Sequence, residues 1–120
     1  MPFQFILANL LSADDRTVGV LFLDETGETV DFACADFTPY QMQVVGAYLG
    51  IYLRKMSEVL TAAELGRPEL IHIQKEELHL HAASLPDGYY LVLVQRPPAQ
   101  VGRARRALRR AAHQLSEELF

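Results

Sequence analysis

The stretch from Pro39 to Ala63 constrains this chain more than any other. Thr38-Pro39 opens it with a side-chain cap followed by a proline in the first turn, and Gly66-Arg67-Pro68 stops it. At 100° per residue, Met42, Val45, Leu49, Leu53, Met56 and Leu60 form one apolar stripe, which suits packing on a sheet. A second apolar sector lies beside it, made of Val44, Tyr48, Ile51, Tyr52 and Val59. The clearly polar sector shrinks to Gln43, Arg54, Ser57 and Glu58. A helix on the surface of a lone protomer needs only one stripe. A second one, left exposed, is the kind of patch that marks an interface, and tyrosine suits such a place because an apolar body carries a polar tip. Gly46 and Gly50 add to the constraint, because glycine in a helix interior costs about 1 kcal/mol relative to alanine. Close approach of another element offsets that cost. The element is either the helix or strand of a second copy or a bulky neighbour in the same copy.

The remaining elements follow from periodicity and punctuation. Phe3 to Leu11 reads as a short helix, with Phe3, Ile6, Leu7, Leu10 and Leu11 at helical spacing. Ser12 to Arg16 is a polar break. Thr17 to Leu23 is a strand, Asp24-Glu25-Thr26-Gly27 a hairpin turn, and Glu28 to Ala35 a second strand with alternating apolar residues. After the long helix come strands at Glu69 to Gln74 and Glu77 to Leu85, joined by a two-residue turn at Lys75-Glu76. Pro86-Asp87-Gly88 then turns the chain into a fifth strand, Tyr89 to Gln95, and Pro97-Pro98 leads to a last helix from about Ala99 to Leu119. That helix is plainly amphipathic: Val101, Ala104, Leu108, Ala111, Leu115 and Leu119 share one stripe. Arg103, Arg105, Arg106, Arg109 and Arg110 occupy its other faces and read as a solvated surface. The pattern predicts an α+β chain (an α/β sandwich) ordered helix, two strands, long helix, three strands, helix. Tight turns make both strand groups antiparallel meanders within one domain spanning residues 1–120.

Composition excludes several function classes. With 120 residues, half of them hydrophobic, the chain can bury a core without metal or disulfide support. A formal net charge of -4 argues against non-specific binding to nucleic acid, which rests on neutralising phosphates. Cys34 is the single cysteine, so no internal disulfide forms, in keeping with a reducing cytosol. No basic residue precedes the apolar run at Phe3 to Leu11 and no clear small-residue cleavage site follows it, so it does not read as a signal peptide. No apolar run reaches the roughly 20 residues a membrane helix needs. A cytoplasmic protein without membrane insertion is expected.

At this point the sequence resembles the roadblock/dynein light chain family, including the bacterial MglB-like regulators of Ras-like GTPases. The resemblance is carried by Gly19-Val20-Leu21-Phe22-Leu23-Asp24 with its Thr26-Gly27-Glu28 turn, by the glycine-bearing middle helix, and by Leu70-Ile71-His72-Ile73 with Leu78-His79-Leu80-His81. Tyr90-Leu91-Val92-Leu93-Val94, leading to Val101 through Leu108, completes it. The resemblance implies a five-stranded antiparallel sheet with helices on both faces, roadblock/profilin-like, which dimerises through the middle helix and an edge strand into one continuous sheet. Carried onto this chain, the dimer interface would hold Val44, Gly46, Ala47, Tyr48, Gly50 and Ile51 with the edge strand Leu70, Ile71, His72, Ile73 and Gln74. The surface for a Ras-like GTPase would hold Tyr40, Gln41, Val44, Ala47, Tyr48, Ile51 and Arg54. The partner in the dimer is a second copy or another roadblock protein. The family members bring no catalytic residues of their own, so no enzyme activity and no cofactor are expected. The readings kept beside this one are a scaffold subunit that binds a roadblock or response-regulator-like protein without affecting a GTPase, and a PAS- or GAF-like small-molecule sensor.

A two-residue turn at Lys75-Glu76 would set His72 opposite His79, with His81 on the same face, a geometry able to hold zinc through imidazoles. The remaining ligands are not visible in the sequence, and a packing role is the simpler reading, so no metal is assigned. His113, near the end of the last helix, is explained by the helix dipole. Cys34 shares a strand face with Val30 and Phe32 and reads as a small hydrophobe. There is no Gly-x4-Gly-Lys-Ser/Thr loop, so the chain is not itself a GTPase. Arg54, Arg67 and Arg96 are conceivable arginine fingers, and nothing in the sequence singles one out.

Overall fold

A computed structural model describes residues 2–98 and 100–120. Its elements run α1 (Pro2–Ser12), β1 (Thr17–Leu23), β2 (Thr29–Cys34), α2 (Pro39–Ala62), β3 (Leu70–Gln74), β4 (His79–Ser84), a 3-10 turn at Pro86–Gly88, β5 (Tyr90–Gln95) and α3 (Val101–Leu119). This is the order and the α+β class that periodicity predicts. The expected start of the last helix, at Ala99, lies outside the described residues. The five strands form one antiparallel sheet in the order β2-β1-β5-β4-β3.

Two clusters fill the two faces of the sheet. On one face, α1 and α3 press Phe3, Leu7, Leu10, Leu108 and Leu115 onto Val20, Phe22, Leu91 and Leu93. Small residues on α3, Ala104, Ala111 and Ala112, let that helix lie close to the strands. On the other face α2 alone packs on β1 and β2, bringing Met42, Leu49 and Leu53 against Leu21 and Leu23. β1 is consequently buried at every position. Because α2 sits over β1 and β2, the same face of the sheet is less covered toward β4 and β3, where Ile71, Ile73 and Leu80 are half-buried.

Local chemistry explains the ends of α2. The Thr38 side chain accepts from the Gln41 amide at 3.1 Å while the Gln41 side chain accepts from the Thr38 amide at 2.8 Å, a reciprocal capping box. The C-terminal stop differs from the expected one. The chain leaves the helix at Glu64, which adopts φ 60, with Glu64 N–H donating to Thr61 O at 3.0 Å and Leu65 N–H to Leu60 O at 2.9 Å. These two bonds make a Schellman motif whose left-handed position is a glutamate, two residues before Gly66.

The β3–β4 connection is a second correction. Lys75 N–H donates to Leu78 O at 2.8 Å and Gln74 stands opposite His79, so the turn centres on Glu76-Glu77, one residue later than the expected Lys75-Glu76, and β4 starts at His79. The register shifts accordingly: His72 stands opposite His81, and His79 stands opposite Gln74.

Candidate interaction surface

The side chains of α2 that the sheet does not need all point outward. Tyr40 is 73% exposed, Val44 37%, Tyr48 64%, Ile51 43%, Tyr52 64% and Val59 64%. Gln41, Ala47 and Arg54 are exposed with them. The second apolar sector is therefore real, and it stands exposed among the described residues. Met56, expected in the sheet-facing stripe, is 44% exposed and extends the same surface. β3 is an edge strand, pairing among the described residues with β4 alone. Its Leu70, Ile71, His72 and Ile73 are half-buried and Gln74 is exposed. Ile71 and Ile73 face the α2 side of the sheet, where they pack against its hydrophobic cluster.

Gly46 and Gly50 are corrected out of this surface. Both are buried on the inner side of α2, against the chain's own β1–β2 hairpin. A Cβ on Gly46 would meet Thr29 Oγ1 at 2.7 Å and Leu21 Cδ2 at 3.4 Å. A Cβ on Gly50 would lie 2.9 Å from both C and Cα of Gly27 and closer still to its carbonyl oxygen. The helical cost of Gly50 is offset by backbone-to-backbone approach to Gly27, and that of Gly46 by close packing on the Thr29 and Leu21 side chains, both within one copy. Gly27 takes φ 87 at the hairpin turn, and Asp24 ties that turn down. The Asp24 carboxylate accepts from Thr26 N–H at 2.9 Å, Thr26 Oγ1 at 2.7 Å and Glu28 N–H at 3.0 Å. Burial pushes that carboxyl up, but the Thr26 hydroxyl and the turn amides outweigh it and hold it below the ordinary carboxylate range.

The arginines sort themselves by contact. Arg67 reaches over the Tyr90 ring, 5.9 Å from its centroid, and donates to Leu85 O at 3.1 Å. Arg96 lies 5.2 Å from the centroid of Phe37. Of the three finger candidates, only Arg54 stands exposed on α2 beside the apolar surface. An open cleft of about 420 Å³ lies between the hairpin turn and the second half of α2, lined in part by Asp24, Glu25, Arg54 and Glu58. The Tyr90 hydroxyl near it is buried without a hydrogen-bond partner.

On the opposite face of the sheet, beneath α3, the three histidines meet. His72 Nε2 and His79 Nδ1 are 3.0 Å apart, and the His72 and His81 rings stack with centroids 4.5 Å apart and planes 8° from parallel. His81 is 1% exposed. Its Nε2 is 3.0 Å from Gln95 Oε1, and Gln95 Nε2 donates to Asp14 Oδ2 at 3.2 Å. Asp14 can only accept, so the Gln95 amide nitrogen must face it, and His81 Nε2 must carry the proton that Gln95 Oε1 accepts. Burial lowers the His81 pKa to about 4, against a smaller upward pull from Gln95 and with added depression from His72, His79 and Arg105. His72 is also lowered, by burial first and then by His79 and Arg105. No motif marks Gln95 in the sequence. It ends a strand of apolar residues, which is its only signal, and it is fully buried. Elsewhere, His113 has a partner beyond the helix dipole, Glu117 at 2.7 Å.

No protein-family model matches the sequence, and no curated protein matches it. Solved structures do match the fold. An MglB solved with a tetrameric arrangement superposes with a TM-score of 0.84 at 18% identity, covering 97% of this chain and 86% of its own. The Roadblock/LC7 domain from Streptomyces avermitilis gives 0.83 at 11% identity, covering 96% and 95%. Profilin II of Acanthamoeba castellanii gives 0.67 at 15% identity, covering 98% and 99%. The strand order, the long helix alone on one face and these superpositions agree: the chain has the roadblock fold, which it shares with MglB and, at lower similarity, with profilin.

Proposed function

We propose that this chain is a non-catalytic, self-associating adaptor that binds a Ras-like GTPase and modulates its nucleotide state or location in the cytoplasm. The observation that carries the proposal is the unburied side of α2, where Val44, Tyr48 and Ile51 are exposed, on a sheet whose edge strand β3 holds the half-buried Ile71 and Ile73 on the same face. Pairing two copies along β3 would satisfy the edge, and packing helix against helix would cover the apolar band. Tyr40, Gln41, Val44, Ala47, Tyr48, Ile51 and Arg54 would then form the surface offered to the GTPase. The fold shared with MglB supports this reading, as does the tetrameric arrangement in which one MglB was solved. The partner in the pair is a second copy or another roadblock protein.

Sedimentation equilibrium tests the first half. Wild-type protein should be dimeric at micromolar concentration, and Ile51→Glu should weaken the association at least tenfold by placing a charge in an apolar contact. A stable wild-type monomer would overturn the proposal. The second half is tested by measuring GTP hydrolysis and nucleotide exchange by purified Ras-like GTPases with and without the chain. Binding that leaves both rates unchanged would favour the scaffold reading. The sensor reading has less support, because both faces of the sheet are filled by side chains and the cleft beside α2 is open.

A further inference from the structure

We propose that His72, His79 and His81 form a binding site for a first-row divalent cation, with zinc the cation expected from all-imidazole ligation. One ring nitrogen from each residue lies within 4.8 Å of the others, and the nearest pair is 3.0 Å apart. Zinc–imidazole bonds of about 2.0–2.1 Å at tetrahedral angles put ligand nitrogens about 3.3 Å apart, inside that range. The residues come from two adjacent strands of one sheet, so the backbone holds all three in place. His81 faces Gln95 Oε1 with its Nε2, 3.0 Å away, so its proton sits there and Nδ1 keeps a lone pair to offer.

The surroundings fit a ligand as well as a packing role. The Asp14–Gln95–His81 chain is the arrangement that fixes tautomer and ring orientation at metal sites: the outer nitrogen of His81 donates to Gln95, and Gln95 is itself anchored on a carboxylate. Gln95 sits fully buried in that chain at the end of an otherwise apolar strand. His72 is half-exposed at the sheet edge, so a cation has a path in and water can take the fourth position. The rings now stack, with planes within 15° of parallel, so binding requires a turn about the soft terminal torsion of at least His72. Arg105 opposes binding, because its charge already depresses His72 and His81. The site lies on the α3 side of the sheet, whereas the α2 surface lies on the other side, so it stands apart from the adaptor reading. A bound cation would tie the edge strand β3 to β4.

The test is calorimetric titration of EDTA-stripped full-length protein with zinc ion, followed by the visible spectrum of the cobalt-loaded form. One equivalent per chain should bind, with a rise in Tm and the absorption of four-coordinate cobalt. His72→Gln and His79→Gln should each weaken binding at least tenfold, and Gln95→Leu about 10- to 100-fold. Because Gln95→Leu risks the fold, Arg105→Gln provides an independent reading: it alters an exposed side chain and should tighten binding about threefold or more by removing a nearby positive charge. His113→Gln should change nothing. Absence of stoichiometric binding overturns the proposal. So does affinity that survives His72→Gln and His79→Gln together but falls with His113→Gln, which would place the zinc at the surface pair on α3.

Discussion

Gly50→Ala should destabilise the protein even though alanine is the better helix former. The new Cβ would stand 2.9 Å from C and Cα of Gly27, against an ordinary contact distance of 3.4 Å or more. The obstruction is backbone on both sides, and Gly27 is itself held at φ 87 by the turn, so no side chain can swing away. The β1–β2 hairpin must lift from α2 by roughly half an ångström to one ångström. Overpacking of this kind costs about 1–3 kcal/mol, and rigid neighbours place this site in the upper part of that range. The gain in helix propensity returns about 1 kcal/mol. The net loss is therefore about 1–2 kcal/mol, a fall in Tm of roughly 4–10 °C for a chain of this size. Urea and thermal unfolding measure it directly. Gly46→Ala is the control, because its nearest obstacle is the Thr29 hydroxyl, on a half-buried side chain that can rotate, and its loss should be smaller. Sedimentation of the same variant separates the two roles a helical glycine can have. A Gly50→Ala protein as stable as wild type but weaker in self-association would refute the intramolecular contact and return the glycine to the interface.

Thr38→Ala removes one side of the capping box and should cost about 0.5–2 kcal/mol in thermal unfolding. Glu64→Gly relieves a non-glycine residue at φ 60, partly offset by the freer unfolded chain, and should leave stability unchanged or raise it by up to about 1 kcal/mol; a clear loss would contradict the Schellman reading. Asp24 has a carboxyl pKa lowered by folding, so its contribution is full above the unfolded value of about 3.9 and is lost as pH falls through the folded value. Asp24→Asn should therefore lower stability at neutral pH and flatten the acid limb of the pH–stability curve, measured by denaturant titration from neutral pH to pH 2.

Much of the fold was legible because its punctuation is local. Asp24 to Gly27, Thr38-Pro39 and Pro86 to Gly88 each state a turn or a cap in a few residues, and the alternation between them marks strands. The β3–β4 register was not legible in the same way. It depends on how Lys75 to Leu78 close a turn, and none of those residues is a glycine or asparagine that would select one geometry. The stop of α2 is hidden for a related reason: a glycine nearby invites the assignment, but hydrogen bonds to Thr61 and Leu60 place the left-handed residue at Glu64. On the candidate surface, helical periodicity alone placed Val44, Tyr48, Ile51, Tyr52 and Val59 outward, since an angle around an axis is a property of the sequence, but it put Met56 on the sheet side.

The sequence by itself determined the order of elements and the excess apolar circumference of α2, because both follow from residue spacing and turn chemistry within a few positions. Only tertiary structure decided what approaches what. Gly50 meets Gly27 across 23 residues, and Asp14 meets Gln95 across 81. A glycine announces that something comes close, and a buried amide that something must bond to it. Which partner arrives depends on how the sheet brings distant segments together, and no local pattern encodes that.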